Sequence, residues 1–79
     1  MQNNNSIQNI AAIYIESAEA AQNREIDRHA ELFKAADEQF KALIAADSSQ
    51  YDCELRDIRY AITQGNFNDA RARYAVLAK

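Results

Sequence analysis

From Ile7 to Ala46 the apolar residues return at helical spacing. Placed at 100° per residue, Ile7, Ala11, Tyr14, Ile15, Ala18, Ile26, Leu32, Phe33, Ala36, Phe40, Leu43 and Ile44 fall within about a third of the helix circumference. No glycine or proline interrupts the run, and the stripe keeps its phase from one end to the other. The pattern predicts one long helix over about 7–46, with Ser6 as its N-cap and Met1–Asn5 as a flexible polar tail ahead of a single helical domain over 6–79. The weak point is Gln22-Asn23-Arg24-Glu25, where the stripe turns polar and Asn23 suits either a helix stop or a cap. A break there makes a four-helix bundle in place of a three-helix one.

Asp47-Ser48-Ser49 is the next punctuation, and Ser48 or Ser49 can cap a second helix running to about Gln64. Tyr51, Leu55, Ile58 and Ile62 lie on one face of it, at i, i+4, i+7 and i+11. Gly65 is the only glycine of a chain without proline, and it is expected to stop that helix in the left-handed conformation. Asn66 or Asn68 then caps a third helix, which buries Phe67, Ala70, Tyr74, Leu77 and Ala78. The fold class expected is all-α, a long N-terminal helix plus a C-terminal antiparallel helical hairpin.

The stretch Gln64-Gly65-Asn66-Phe67-Asn68-Asp69-Ala70-Arg71-Ala72-Arg73-Tyr74 resembles the middle and second helix of a tetratricopeptide repeat. Gly65 stands at the turn, Phe67 after it, Ala70 at the close-contact position and Tyr74 one turn later. The preceding helix departs from that pattern, with Glu54, Asp57 and Ile58 where the repeat has an aromatic, a leucine and a small residue, and the chain holds no second copy. The resemblance covers about a quarter of the chain and implies only the antiparallel hairpin.

Length sharpens the question of what covers the stripe. A 79-residue chain buries only about two-thirds of the surface it exposes when unfolded. One cysteine and one histidine supply neither an internal disulfide nor a closed zinc site, which leaves a partner chain as the usual aid to stability. The two shorter helices cover only about half of a helix roughly 60 Å long. Six consecutive apolar residues, Ile10 to Ile15, make its first part apolar nearly all round. A homo-oligomer, in the simplest case a dimer, is therefore expected, with Ile7, Ile10, Ile13, Tyr14 and Ile15 at its interface.

Charge narrows the functional classes. The net charge is −3, with four Lys/Arg against eight Asp/Glu over residues 1–49 and five against four over 50–79. This is neither the basic stripe of a nucleic-acid binder nor the acidity of a nucleic-acid mimic. Neither a basic, apolar secretory start nor an apolar run of about 20 residues is present, so a cytoplasmic setting without membrane association is expected.

Candidate chemistry is sparse. Gln22, Glu25 and His29 read as a polar seam that fixes register in the long helix. Glu25 and His29 also share a face as metal ligands would, but di-iron bundles use Glu-x-x-His, and Ile26-Asp27-Arg28-His29 is not that motif. Cys53 has no base near it in sequence, and the chain has no phosphate loop and no nucleophile elbow. No enzyme activity, cofactor or metal is expected. On the back of the second helix Arg56, Tyr60 and Gln64, with Arg71 and Arg73 of the third, carry residue types enriched where proteins bind one another. The expected function is a non-enzymatic, self-associating interaction protein: an adaptor, regulator or inhibitor of another protein. The alternative is a nucleic-acid or nucleotide-phosphate binder using Arg56, Arg59, Arg71 and Arg73.

Overall fold

The computed structural model describes residues 3–47 and 54–77. These form four helices, α1 (Asn3–Gln22), α2 (Ile26–Ala46), α3 (Glu54–Thr63) and α4 (Phe67–Leu77), and no strand. The all-α class holds. The single helix over 7–46 does not: the chain turns at residues 23–25, and α2 folds back along α1. At the N-terminus α1 already runs from Asn3, so Ser6 lies inside the helix and residues 3–5 belong to it. Met1, the caps expected at Ser48 or Ser49, and Tyr51, Cys53 and Ala78 lie outside the described residues.

The break is made by the backbone of Arg24, whose φ of 63° is left-handed. The Arg24 N–H donates to the Ala21 carbonyl (3.0 Å) and the Glu25 N–H to the Ala20 carbonyl (2.8 Å). These two bonds satisfy carbonyls that a helix end otherwise leaves open. Glu25 at once begins the next helix, its carbonyl accepting from the His29 N–H at 2.9 Å. Gly65 (φ 77°) repeats the device: its N–H donates to Ile62 (3.0 Å), the Asn66 N–H donates to Ala61 (2.8 Å), and the Asn66 carbonyl accepts from the Ala70 N–H (3.1 Å). Two helical hairpins with the same three-residue turn thus make up the described residues.

α1 is the central element and packs against α2, α3 and α4, while α3 and α4 also pack on each other. Its inward residues Ile7, Ile10, Ala11, Tyr14, Ile15 and Ala18 meet Ala36 and Phe40 of α2, Leu55, Ile58, Ala61 and Ile62 of α3, and Ala70 of α4. Ile13, Phe33, Leu43, Ile44, Phe67, Tyr74 and Leu77 close the margin. Two polar ties set α4 antiparallel to α1. Gln8 Nε2 donates to the Leu77 carbonyl (2.9 Å) at one end, and Arg71 bonds the Gln22 side chain at the other.

The residues expected at an oligomer interface lie in or against the core of the single chain. The nearly all-round apolarity of Ile10–Ile15 serves a helix covered on several sides by its own chain. Ile7, Ile10, Tyr14 and Ile15 are buried there, with Tyr14 wholly inaccessible, and Ile13 is half-buried against the same core. Ile26, expected in the stripe, is instead 65% exposed at the first position of α2.

Candidate functional site

α2 and α3 lie on α1 and face one another across a groove of about 480 Å³. Asp37, Phe40, Lys41 and Ile44 line it from α2, at spacings of three and four that put them on one helix face. Arg56, Asp57, Arg59 and Tyr60 line it from α3.

A polar tie fixes the inner wall. The Tyr14 hydroxyl of α1 is enclosed by packing and must find an acceptor. It donates to Asp37 Oδ1 at 2.5 Å. Arg59 grips the same carboxylate in a fork, Nε to Oδ1 at 2.8 Å and Nη2 to Oδ2 at 3.2 Å. The Arg59 guanidinium also lies over the Phe33 ring, 5.2 Å from its centroid. Phe33 in turn meets Tyr14 edge-on (5.4 Å) and stacks on His29 (5.7 Å). His29 Nδ1–H donates to the Ser17 carbonyl at 2.8 Å; a carbonyl only accepts, so this nitrogen carries the proton. Ser17, also buried, donates its hydroxyl to the Tyr14 carbonyl at 2.6 Å.

The electrostatics follow from that geometry. Burial, reinforced by Asp37, drives the Tyr14 phenol far above its ordinary value, so it is a neutral donor. Burial also pushes the Asp37 carboxyl up. Hydrogen bonds from Arg59 and Tyr14, with the Arg59 and Lys41 charges, outweigh that push and hold it below its ordinary value. The tie therefore joins a neutral phenol, an ionised carboxylate and a guanidinium, each already engaged. Nothing in it is left as a base or a nucleophile; it holds three helices in register.

The residues singled out from the sequence divide among several places. Arg56 and Tyr60 share the groove, and Tyr60 is 64% exposed. Gln64 is exposed just beyond the end of α3. Arg71 bonds Gln22 and Asn68, and Arg73 is held by Glu54 (2.9 Å), Asp69 (3.1 Å) and Asp57 (3.5 Å). All four arginines considered for phosphate have partners within the chain, Arg56 lying 4.0 Å from Asp57. Gln22, Glu25 and His29 surround the first turn. Gln22 ends α1, Glu25 occupies the N-cap of α2 and pairs with Arg28 (3.3 Å), and His29 reaches back to α1. The polar interruption is a turn with Gln22 and Glu25 exposed, where the sequence suggested a seam inside a continuous helix.

Asp37, the hub of the tie, escaped sequence reasoning. The available signal was a tyrosine in the middle of an apolar stripe, whose hydroxyl needs a partner, and a carboxylate one position beyond Ala36 on the next helix. Among the described residues no three His, Cys, Asp or Glu side chains gather as metal ligands do, and no helix is long and apolar enough to cross a membrane. Comparison with family models, curated proteins and solved structures found no match for this chain. The likeness to a tetratricopeptide hairpin thus rests on its own few residues.

Proposed function

We propose that this chain is a protein-interaction module that binds another protein along the α2/α3 groove and catalyses no reaction, acting as an adaptor, regulator or inhibitor by occupying its target. The observation that carries this reading is Tyr60. It is a large aromatic residue, 64% exposed, beside Arg56 at the mouth of a groove whose floor is Phe40 and Ile44. Tyrosine and arginine over an apolar floor are the composition of binding hot spots. The Tyr14–Asp37–Arg59 tie supports the reading further, because a groove whose walls are already fixed loses little entropy on binding. A cytoplasmic setting suits a chain with a single cysteine.

Self-association loses its physical motive, since the stripe that called for a second copy is covered within the chain. Phosphate binding is weakened by the internal commitments of Arg59, Arg71 and Arg73. The test is capture of a partner from the native host with the parent chain, with Tyr60→Ala, with Arg56→Glu and with Asn9→Ala, each checked for unchanged helicity. The two groove variants are expected to lose the partner and Asn9→Ala to keep it. Capture that ignores the groove variants refutes the reading, and capture of nucleic acid that collapses as salt rises favours the phosphate alternative.

A further inference from the structure

Resting on that reading of the groove, we infer that its occupant is an amphipathic α-helix of the partner, presenting an apolar ridge flanked by Asp or Glu. The dimensions of the groove match a helix. A second depression, lined by residues from His29 to Lys41, adjoins the groove and shares Asp37 and Lys41 with it. Together they follow α2 from His29 to Ile44, a track of roughly 22 Å at 1.5 Å per residue, or about four helical turns. Phe33, Phe40 and Ile44 pave it.

The backbone of the groove offers nothing for an extended strand to pair with. Both walls are helices, whose N–H and C=O groups are spent on their own i to i−4 bonds, and the described residues contain no strand. An extended peptide that binds by strand addition needs an open sheet edge, which this face does not offer. A side-chain ridge from another helix needs no such edge; it fits between α2 and α3 where both line the groove, and lies along α2 alone over the second depression, whose lining residues all belong to α2.

Charge along the track selects an acidic occupant. The chain as a whole carries −3, yet along this track Lys34, Lys41, Arg56 and Arg59 stand against three acids, Asp37, Glu38 and Asp57, a local balance of +1 among Lys, Arg, Asp and Glu. Of those acids, Asp37 is taken by Arg59 and Tyr14, and Asp57 lies against Arg73 (3.5 Å) and Arg56 (4.0 Å). Lys34 and Lys41 are exposed on the α2 side. Carboxylates along the flanks of an incoming helix meet complementary charge, and a basic helix does not.

Selection of an unconstrained display library of random peptides, about 16 residues long to match four turns, on the full chain tests this. The expected winners carry apolar residues at i, i+4 and i+7 with flanking Asp or Glu, and become helical on binding. They are expected to bind Tyr60→Ala and the Lys41→Glu/Arg56→Glu double variant at least about tenfold more weakly, with lysine-for-acid versions of the peptides restoring affinity for the double variant. Winners that depend on Tyr60 but are basic, proline-rich or extended overturn the helical, acidic occupant and leave the groove reading standing. Winners indifferent to both variants, or no winners at all, overturn the groove reading with it.

Discussion

Arg24 and Gly65 occupy the same position in two copies of one turn. Each is left-handed, with φ 63° and 77°, and each N–H donates to the carbonyl three residues back while the next N–H donates to the carbonyl five residues back. The conformation costs glycine nothing and an ordinary L-residue about 1–2 kcal/mol. Arg24→Gly is therefore expected to raise stability by roughly 0.5–1 kcal/mol, the relief being partly offset by the freer unfolded chain. Gly65→Ala is expected to lower it by about 1 kcal/mol; a Cβ there meets nothing within 4 Å, so the cost is backbone strain alone. Urea denaturation measures both, and an Arg24→Gly variant no more stable than the parent contradicts the assignment.

That pair also explains what the sequence disclosed and what it hid. Gly65 advertises a helix stop because glycine is the usual occupant of such a site, whereas Arg24 fills the same site without any compositional mark. The polar stretch over residues 22–25 showed where a break could fall, but the phase of the stripe did not select it, because Ala18 and Ala36 are 18 residues apart, about five turns of helix, and the phase passes through the short turn unchanged. Leu55, Ile58 and Ile62 were legible as one buried face because all three are buried in the core on which α3 packs with α1 and α4. Tyr60 was legible as outward-facing by the same periodicity. Asp37 was not, since its role depends on Arg59, 22 residues away, arriving opposite it once both hairpins have closed on α1.

The tie makes stability depend on pH in two directions. The Tyr14 phenol is raised in the folded state, so its contribution is complete below the unfolded value of about 10 and is lost as pH rises further, where only the unfolded chain gives up the proton. Asp37 is lowered, so its contribution is complete above about 4 and is lost as pH falls through the folded value. Tyr14→Phe is expected to cost about 1 kcal/mol at neutral pH and to flatten the alkaline limb of the stability profile. Asp37→Asn is expected to flatten the acid limb. Chemical denaturation across pH reads both, and variants that retain the parent's profile show that the tie is not what sets it.

Because the core closes within one chain, the melting temperature is expected not to change with protein concentration, and light scattering is expected to give a single monomeric mass. A melting temperature that rises with concentration shows that a second copy takes part in folding.

Tyr60 and Tyr14 offer a contrast on neighbouring elements. Tyr60→Ala removes an exposed ring and is expected to shift stability by no more than about 0.5 kcal/mol. Tyr14→Ala empties a wholly buried site and is expected to cost about 3–5 kcal/mol. Thermal and urea unfolding of the two variants compare them, and equal losses place Tyr60 in the core.

The groove exists only because α2 folds back on α1, and one distance tests that most directly. Spin labels at Asn9 and Ala42, in a Cys53→Ser background and diluted with unlabelled chain, sit on exposed positions that line the same small depression between the two helices. Packed helices with axes about 8–10 Å apart place the labels close together, and strong dipolar broadening is the expected result. A single helix through residue 24 separates them by roughly 50 Å, and a distance of that order contradicts the hairpin, the closed core and the groove together.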